Sequence, residues 1–124
     1  MSLYFYKVCV KKINTISFDT FNSIELISGT IIKTEEFPRA KKPAFKVWVD
    51  FGPKFGILQT SAQITVHYTL ESLIGKQVVG CVNLGEKNIG GFLSQFLLVG
   101  FPDANGAVCL MTVDPKVPNG SKAF

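Results

Sequence analysis

The sequence predicts an all-β chain curled into a small closed barrel. Five or six short strand-like runs of similar length recur along its 124 residues. A glycine, Gly29, interrupts the first long run, and one short helical stretch falls between the third and fourth. A glycine inside a strand marks a bulge or sharp bend, which a first strand needs to curl into a barrel. Together these features predict a five-stranded Greek-key barrel of the oligonucleotide/oligosaccharide-binding (OB) class with short helices, a two-sheet sandwich being the structural rival.

The elements follow in order. Residues 3–10, with Tyr4, Phe5, Tyr6, Val8 and Val10, read as a short strand or ordered arm, and residues 1–17 are set apart as an N-terminal arm before a domain over 18–124. Ser17 is placed to cap a helix over Phe18–Ser23, in which Phe18 and Phe21 share one side, as a lid on a barrel end or a dimer contact. Ile24–Glu35 is the long first strand. Phe37–Pro43 is a basic loop carrying Arg39, Lys41 and Lys42 between prolines; a solvated charge run needs no function. Ala44–Phe51 alternates, with Phe45, Val47, Val49 and Phe51 on one face and Ala44, Lys46, Trp48 and Asp50 on the other, the period of a strand with one buried side. Gly52-Pro53 and Gly56 turn the chain back into a return strand over Phe55–Gln59. The cluster Thr60-Ser61-Ala62-Gln63 offers hydroxyls and an amide that either bind a ligand or cap the next helical turn.

Thr65–Leu70 reads as that helical turn, with Glu71–Gly75 as connector. Gln77–Asn83 is a buried strand. Leu84–Gly91 is a glycine-rich loop whose spacing departs from a phosphate-binding GxGxxG, with no GK[ST] after it. Phe92–Val99 is a further strand, Pro102–Gly106 a turn, Ala107–Val113 the last strand of the barrel, and Asp114–Gly120 an extended tail.

Composition narrows the function classes. Hydrophobic residues make up 47%, including eleven Phe, and charged residues only 18%, so the chain can fill a core and disorder is excluded. A net charge of +4 is compatible with a polyanionic partner. Cys9, Cys81 and Cys109 are far apart, form no CxxC pair and are accompanied by one histidine, His67; this spacing argues against zinc and for small buried hydrophobes in a reducing compartment. The apolar start is cut by Lys7 with no basic region before it, and no run reaches membrane-spanning length, so the expectation is a cytoplasmic protein without membrane insertion. His67 has no neighbouring nucleophile motif, and the spacing of Asp50 and Glu71 demands no carboxylate pair, so no catalytic residues are assigned.

The stretches GTIIKTEEFPRAKKPAFKVWVDFG, GILQTSAQIT, GKQVVGCVN, IGGFLSQFLLVG and VPNG, in that order, resemble the CsaA-type proteins, stand-alone relatives of the tRNA-binding domain appended to some aminoacyl-tRNA synthetases. The resemblance covers about Phe18–Gly120. It implies an OB barrel, a homodimer to which the first helix and the C-terminal tail contribute, recognition of tRNA by shape, chaperone activity toward exported proteins, and neither catalysis nor cofactor. Family polar positions map onto Lys42, Lys46, Ser61, Gln63, Asn83 and Ser94. On this reading Lys42, Lys46, Lys54 and Lys87 meet phosphates, and Ser61, Gln63, Asn83 and Ser94 meet ribose or base edges. Trp48 either stacks on a base or is covered by a dimer partner. Ser61 and Gln63 as helix caps, and Asn83 as a turn residue, are the competing structural roles.

Departures from the family pattern are Ile27, Leu58 and Leu93 at positions typically basic, Gly85-Glu86-Lys87-Asn88 in place of a proline-and-basic loop, and Gln95 for Glu. They weaken phosphate binding and, if the aliphatic side chains are exposed, favour a chaperone-like binder of unfolded or preprotein segments with weak or no tRNA binding.

Overall fold

The computed structural model describes residues 12–124. The arm expected at 3–10, and Cys9, lie outside the described residues. The organising element is β1 (Leu26–Glu36). Its first half pairs antiparallel with β4 (Gln77–Cys81) and its second with β2 (Phe45–Asp50), which pairs in turn with β3 (Ile57–Ala62). With β7 (Leu97–Leu98) the sheet runs β3-β2-β1-β4-β7. One strand can serve two partners because it bends at a bulge between Ile31 and Lys33.

The bend does not sit at Gly29, as the sequence suggested. A Cβ there would stand 2.5 Å from Val49 Cγ1 and 2.8 Å from Phe51 Cδ1, so Gly29 is there to let the core side chains of β2 approach the backbone of β1.

The alternation of β2 holds. Phe45, Val47, Val49 and Phe51 are buried and join Ile27, Ile31, Ile64, Leu73, Val78, Phe96 and Leu98 in one core. Each fully buried aliphatic or aromatic side chain there contributes about 1.5–3 kcal/mol. Thr60, Gln77 and Ser94 are buried as well, and each has a hydrogen-bond partner.

The edges β3 and β7 approach each other through the segment that precedes β7. Gln95 N–H donates to Gln59 O at 2.8 Å, and Thr60 Oγ1 to Phe96 O at 2.7 Å. Gln59 N–H donates to Gln95 Oε1 at 3.0 Å, and Ser61 N–H to Ser94 Oγ at 3.2 Å. Side chains thus take over bonds that a backbone ladder would supply, and the result is a nearly closed five-stranded antiparallel barrel: an all-β, OB-like fold.

Several expected elements resolve differently. The turn after β2 is a single helical turn, α2 (Gly52–Phe55), with Asp50 Oδ1 accepting from Gly52 N–H at 2.9 Å. Thr60, Ser61 and Ala62 lie inside β3 and cap nothing. The helix expected over 65–70 forms later, as α3 (Leu70–Leu73), because Thr69 and Ser72 make a reciprocal capping box that starts it there. The glycine-rich loop contains β5 (Lys87–Ile89), which forms a hairpin with β6 (Phe92–Ser94). The strand expected over 92–99 is therefore split. The last strand, β9 (Val108–Leu110), pairs with β8 (Gly100–Pro102) in a ribbon outside the five-stranded sheet.

Ser17 does cap α1 (Phe18–Asn22), accepting from Thr20 N–H at 3.1 Å. The tail docks in cis on β1. Backbone bonds join Ser28 to Gly120 and Ser121, and Leu26 to Ala123. The Gln77 side-chain amide grips Val117 by donating to its carbonyl at 2.7 Å and accepting from its N–H at 3.0 Å. Gly120 has φ +93, and a Cβ there would lie 2.8 Å from Phe51 O. The VPNG stretch is thereby explained: its backbone is held by the barrel wall. Among the described residues no helix is long and apolar enough to cross a membrane.

Candidate nucleic-acid interface

A groove of about 770 Å³ opens where the basic loop 37–43, the end of β3, the β5–β6 hairpin and β7 meet. Arg39, Lys41, Lys42 and Lys87 line it with Ser61, Gln63 and Asn88, over a floor that includes Ile64 and Leu98. The loop and the hairpin are brought together by aromatic contact: Phe37 and Phe92 meet edge-on at 5.7 Å, and the Phe37 side chain packs against Gly90. Among the described residues none of the four cations forms an ion pair. They present uncompensated charge on one concave surface, where a polyanion releases counterions on binding.

Of the eight residues singled out in the sequence, Lys42, Ser61, Gln63 and Lys87 line this groove together. Lys46 stands beside it, opposite Ser61 in the β2–β3 register. Its ammonium lies 5.1 Å from the Phe37 ring and 5.0 Å from the Phe92 ring, a cation held on aromatic faces. Ser94 is 7% exposed and shares a hydrogen bond with Ser61 Oγ at 3.3 Å, inside the barrel seam. Its hydroxyl is committed to closing the fold.

Asn83 lies away from the groove and ties α1 to β1: its Oδ1 accepts from Glu25 N–H at 3.0 Å and its Nδ2 donates to Ser23 O at 2.7 Å. The turn-holding role weighed for it in the sequence is the one its contacts describe. Lys54 sits on α2, over the Phe55 ring at 5.2 Å, and is not part of the groove lining.

Trp48 is on the outer face, as its strand position required, but its ring is already engaged. Lys33 Nζ lies 4.5 Å over it, Phe92 meets it edge-on at 5.8 Å, and its Nε1–H donates to Gln59 Oε1 at 3.2 Å. A base would have to displace Lys33 to stack there.

The apolar departures do not make a new surface. Ile27 is 1% exposed and belongs to the core, Leu58 is half-buried against it, and only Leu93, at 38%, is exposed. The drift toward protein binding expected from these three residues is thus not supported at Ile27, whose β1 position points into the barrel.

Arg39 and Lys41 belong to the loop that the sequence presents as a solvated charge run, and Asn88 to the loop that departs from the family pattern; the fold sets both on the groove. The signal was present in FPRAKKP; what was missing was the hairpin that faces it. Asn88 Oδ1 accepts from Gly91 N–H at 3.0 Å and shapes the tip that carries Lys87.

Residues 26–122 match the model of the family described as "Putative tRNA binding domain". The chain belongs to this family. Among solved structures it is similar to the chaperone CsaA of Bacillus anthracis str. Ames, 40% identical, TM-score 0.82, covering 90% of this chain and 100% of that one. It is similar also to the CsaA chaperone protein of Picrophilus torridus, 34% identical, TM-score 0.82, covering 89% and 100%. Among curated proteins it is 32% identical over 112 residues to the methionine–tRNA ligase of Methanocaldococcus jannaschii, covering 90% of this chain and 17% of the ligase. The chain thus spans about a sixth of the length of that relative. The match places this tRNA-binding domain protein among the CsaA-type chains in sequence and fold.

Proposed function

We propose that the chain is a non-catalytic tRNA-binding module that works as a homodimer. The observation that carries this reading is the groove in which Arg39, Lys41, Lys42 and Lys87 converge without acidic partners among the described residues. Phosphates would sit against these cations, with Ser61 and Gln63 within reach of ribose or base edges, a pattern suited to RNA read by shape and 2′-hydroxyls. Lys46 would add charge at the groove's flank; Lys54, Asn83 and Ser94 would contribute through the fold. Support for the dimer comes from α1, which buries none of its residues among the described ones: its first residue, Phe18, is 83% exposed, and Ile16 just before it is 60% exposed.

The experiment is filter binding of mixed tRNA to the chain between about 50 and 200 mM salt. Affinity is expected to fall steeply across that range. The double variant Lys42→Ala/Lys87→Ala should bind more weakly and with a log–log salt slope shallower by about 2. Binding unchanged by both salt and the double variant would remove the groove from consideration.

A second reading is favoured by the groove's apolar floor, Ile64 and Leu98, and by the half-exposed Leu97 beside them. An unfolded or preprotein segment could lay apolar side chains there. Solved structures similar to this chain are named chaperones. This reading predicts peptide capture that survives high salt and is indifferent to the double lysine variant.

A further inference from the structure

Spacing in the sequence argued against a metal site, but the fold brings together three donors that are far apart in the chain. His67, from the turn before α3, Asp103, from the β8–β9 turn, and Cys109, on β9, place one ligand atom each within 4.8 Å of one another. We infer that His67, Asp103 and Cys109 bind a single zinc-class divalent ion, with none of the three among the residues that line the groove.

The donor set fits the ion. One imidazole nitrogen, one carboxylate oxygen and one thiolate sulfur are a borderline-soft mixture that suits zinc, and three protein ligands leave a fourth tetrahedral position for water. With a thiolate and a carboxylate as ligands, two negative charges balance a divalent cation; the neutral imidazole binds through the ring nitrogen that carries no proton and keeps its proton on the other, and the Cys109 thiol proton goes to solvent on binding.

The carboxylate is already oriented. Its Oδ1 accepts from Asn105 N–H at 2.8 Å and Ala107 N–H at 2.9 Å, which leaves Oδ2 to face His67 Nε2 at 2.6 Å. The hydrogen bond from His67, with these two amides, holds the Asp103 carboxyl below its usual range. Backbone contacts that aim a ligand are the usual support of a metal site. The imidazole is positioned by Tyr68, edge-on at 6.5 Å, whose hydroxyl is in turn fixed by Leu110 N–H at 2.9 Å. Cys109 is a free, half-buried thiol. Ligands about 2.0–2.1 Å from a tetrahedral ion lie roughly 3.3 Å apart, so the His67–Asp103 pair must open slightly. The exposed His67 side chain can do so without disturbing the core.

The test is titration of the full chain with Co²⁺ as a spectroscopic stand-in, followed by competition with Zn²⁺. The wild type is expected to take up one equivalent and to develop a near-ultraviolet thiolate-to-cobalt charge-transfer band that Zn²⁺ abolishes. Cys109→Ser should lose the band. His67→Gln should weaken binding by about 10- to 100-fold or more, the range already seen when only a supporting residue is removed. Cys9→Ser should behave as wild type. As a second readout, Zn²⁺ should raise the thermal unfolding temperature of the wild type and not of Cys109→Ser. Absence of saturable one-to-one binding, a band that survives Cys109→Ser, or an unaltered affinity in His67→Gln would overturn the site.

Discussion

Gln77 shows how much one buried side chain can hold. It lies in β4, yet its amide makes both hydrogen bonds that fix Val117, and its backbone carbonyl accepts from Thr112 Oγ1 at 2.6 Å. Replacing it by leucine keeps the approximate volume and strands the Val117 N–H and carbonyl. Gln77→Leu is therefore expected to cost about 1 kcal/mol for each of the two bonds lost, since the Val117 groups are only partly buried. Urea unfolding would measure it; a midpoint equal to wild type would mean that the tail is not held where its contacts place it. The same residue marks a limit of reading from sequence. Gln77 was legible as the start of a buried strand, but its partner lies 40 positions away, and no local pattern announces a clamp of that span. Gly29 was legible as a special position for the wrong reason: a glycine that relieves crowding and a glycine that bends a strand look alike until Val49 and Phe51 are seen against it.

At the level of elements, what could be read depended on who supplies the hydrogen bonds. β2 was legible because its neighbours β1 and β3 pair with it along the backbone, so burial alternates strictly along it. The segment 92–99 was read as one strand because its composition is uniformly β-prone. It is in fact two short strands, because the intervening Gln95 and Phe96 bond across the seam to Gln59 and Thr60 instead of continuing a ladder. The basic half of the groove was legible in the loop 37–43, while its opposing half depended on a hairpin that the glycines had disguised as a loop. The seam yields its own prediction. Thr60→Val preserves shape but removes the donor to Phe96 O, leaving a buried carbonyl unsatisfied at a cost of about 1–3 kcal/mol. Chemical denaturation should show that loss while tRNA affinity at low temperature stays at the wild-type level, since Thr60 faces the core and not the groove. A variant as stable as wild type would show that the barrel does not rely on side-chain bonds to close.

For the whole molecule, one groove with four cations is a modest electrostatic site against a molecule as large as tRNA. Two copies related by a two-fold axis would double the charge available to one polyanion, and a two-fold interface requires a self-complementary patch. The segment at Ile16 and Phe18 supplies apolar surface of that kind, and α1 is anchored to the barrel by Asn83, so a partner docked on it would be fixed in orientation relative to the groove. Phe18→Ser removes the largest exposed apolar side chain of α1 without touching the core, so the protomer should still unfold cooperatively, at a denaturant midpoint lowered only by the stabilisation that dimerisation would supply. If the wild type pairs through this face, the variant should sediment as a monomer at concentrations where the wild type sediments as a dimer. If both grooves grip one tRNA, the monomer should also bind more weakly and with about half the wild-type salt slope, because half the phosphates are neutralised. A variant that turns monomeric yet keeps the full slope would mean that each groove works alone. A wild-type chain that sediments as a monomer at micromolar concentration would leave the exposed face of α1 to some other partner.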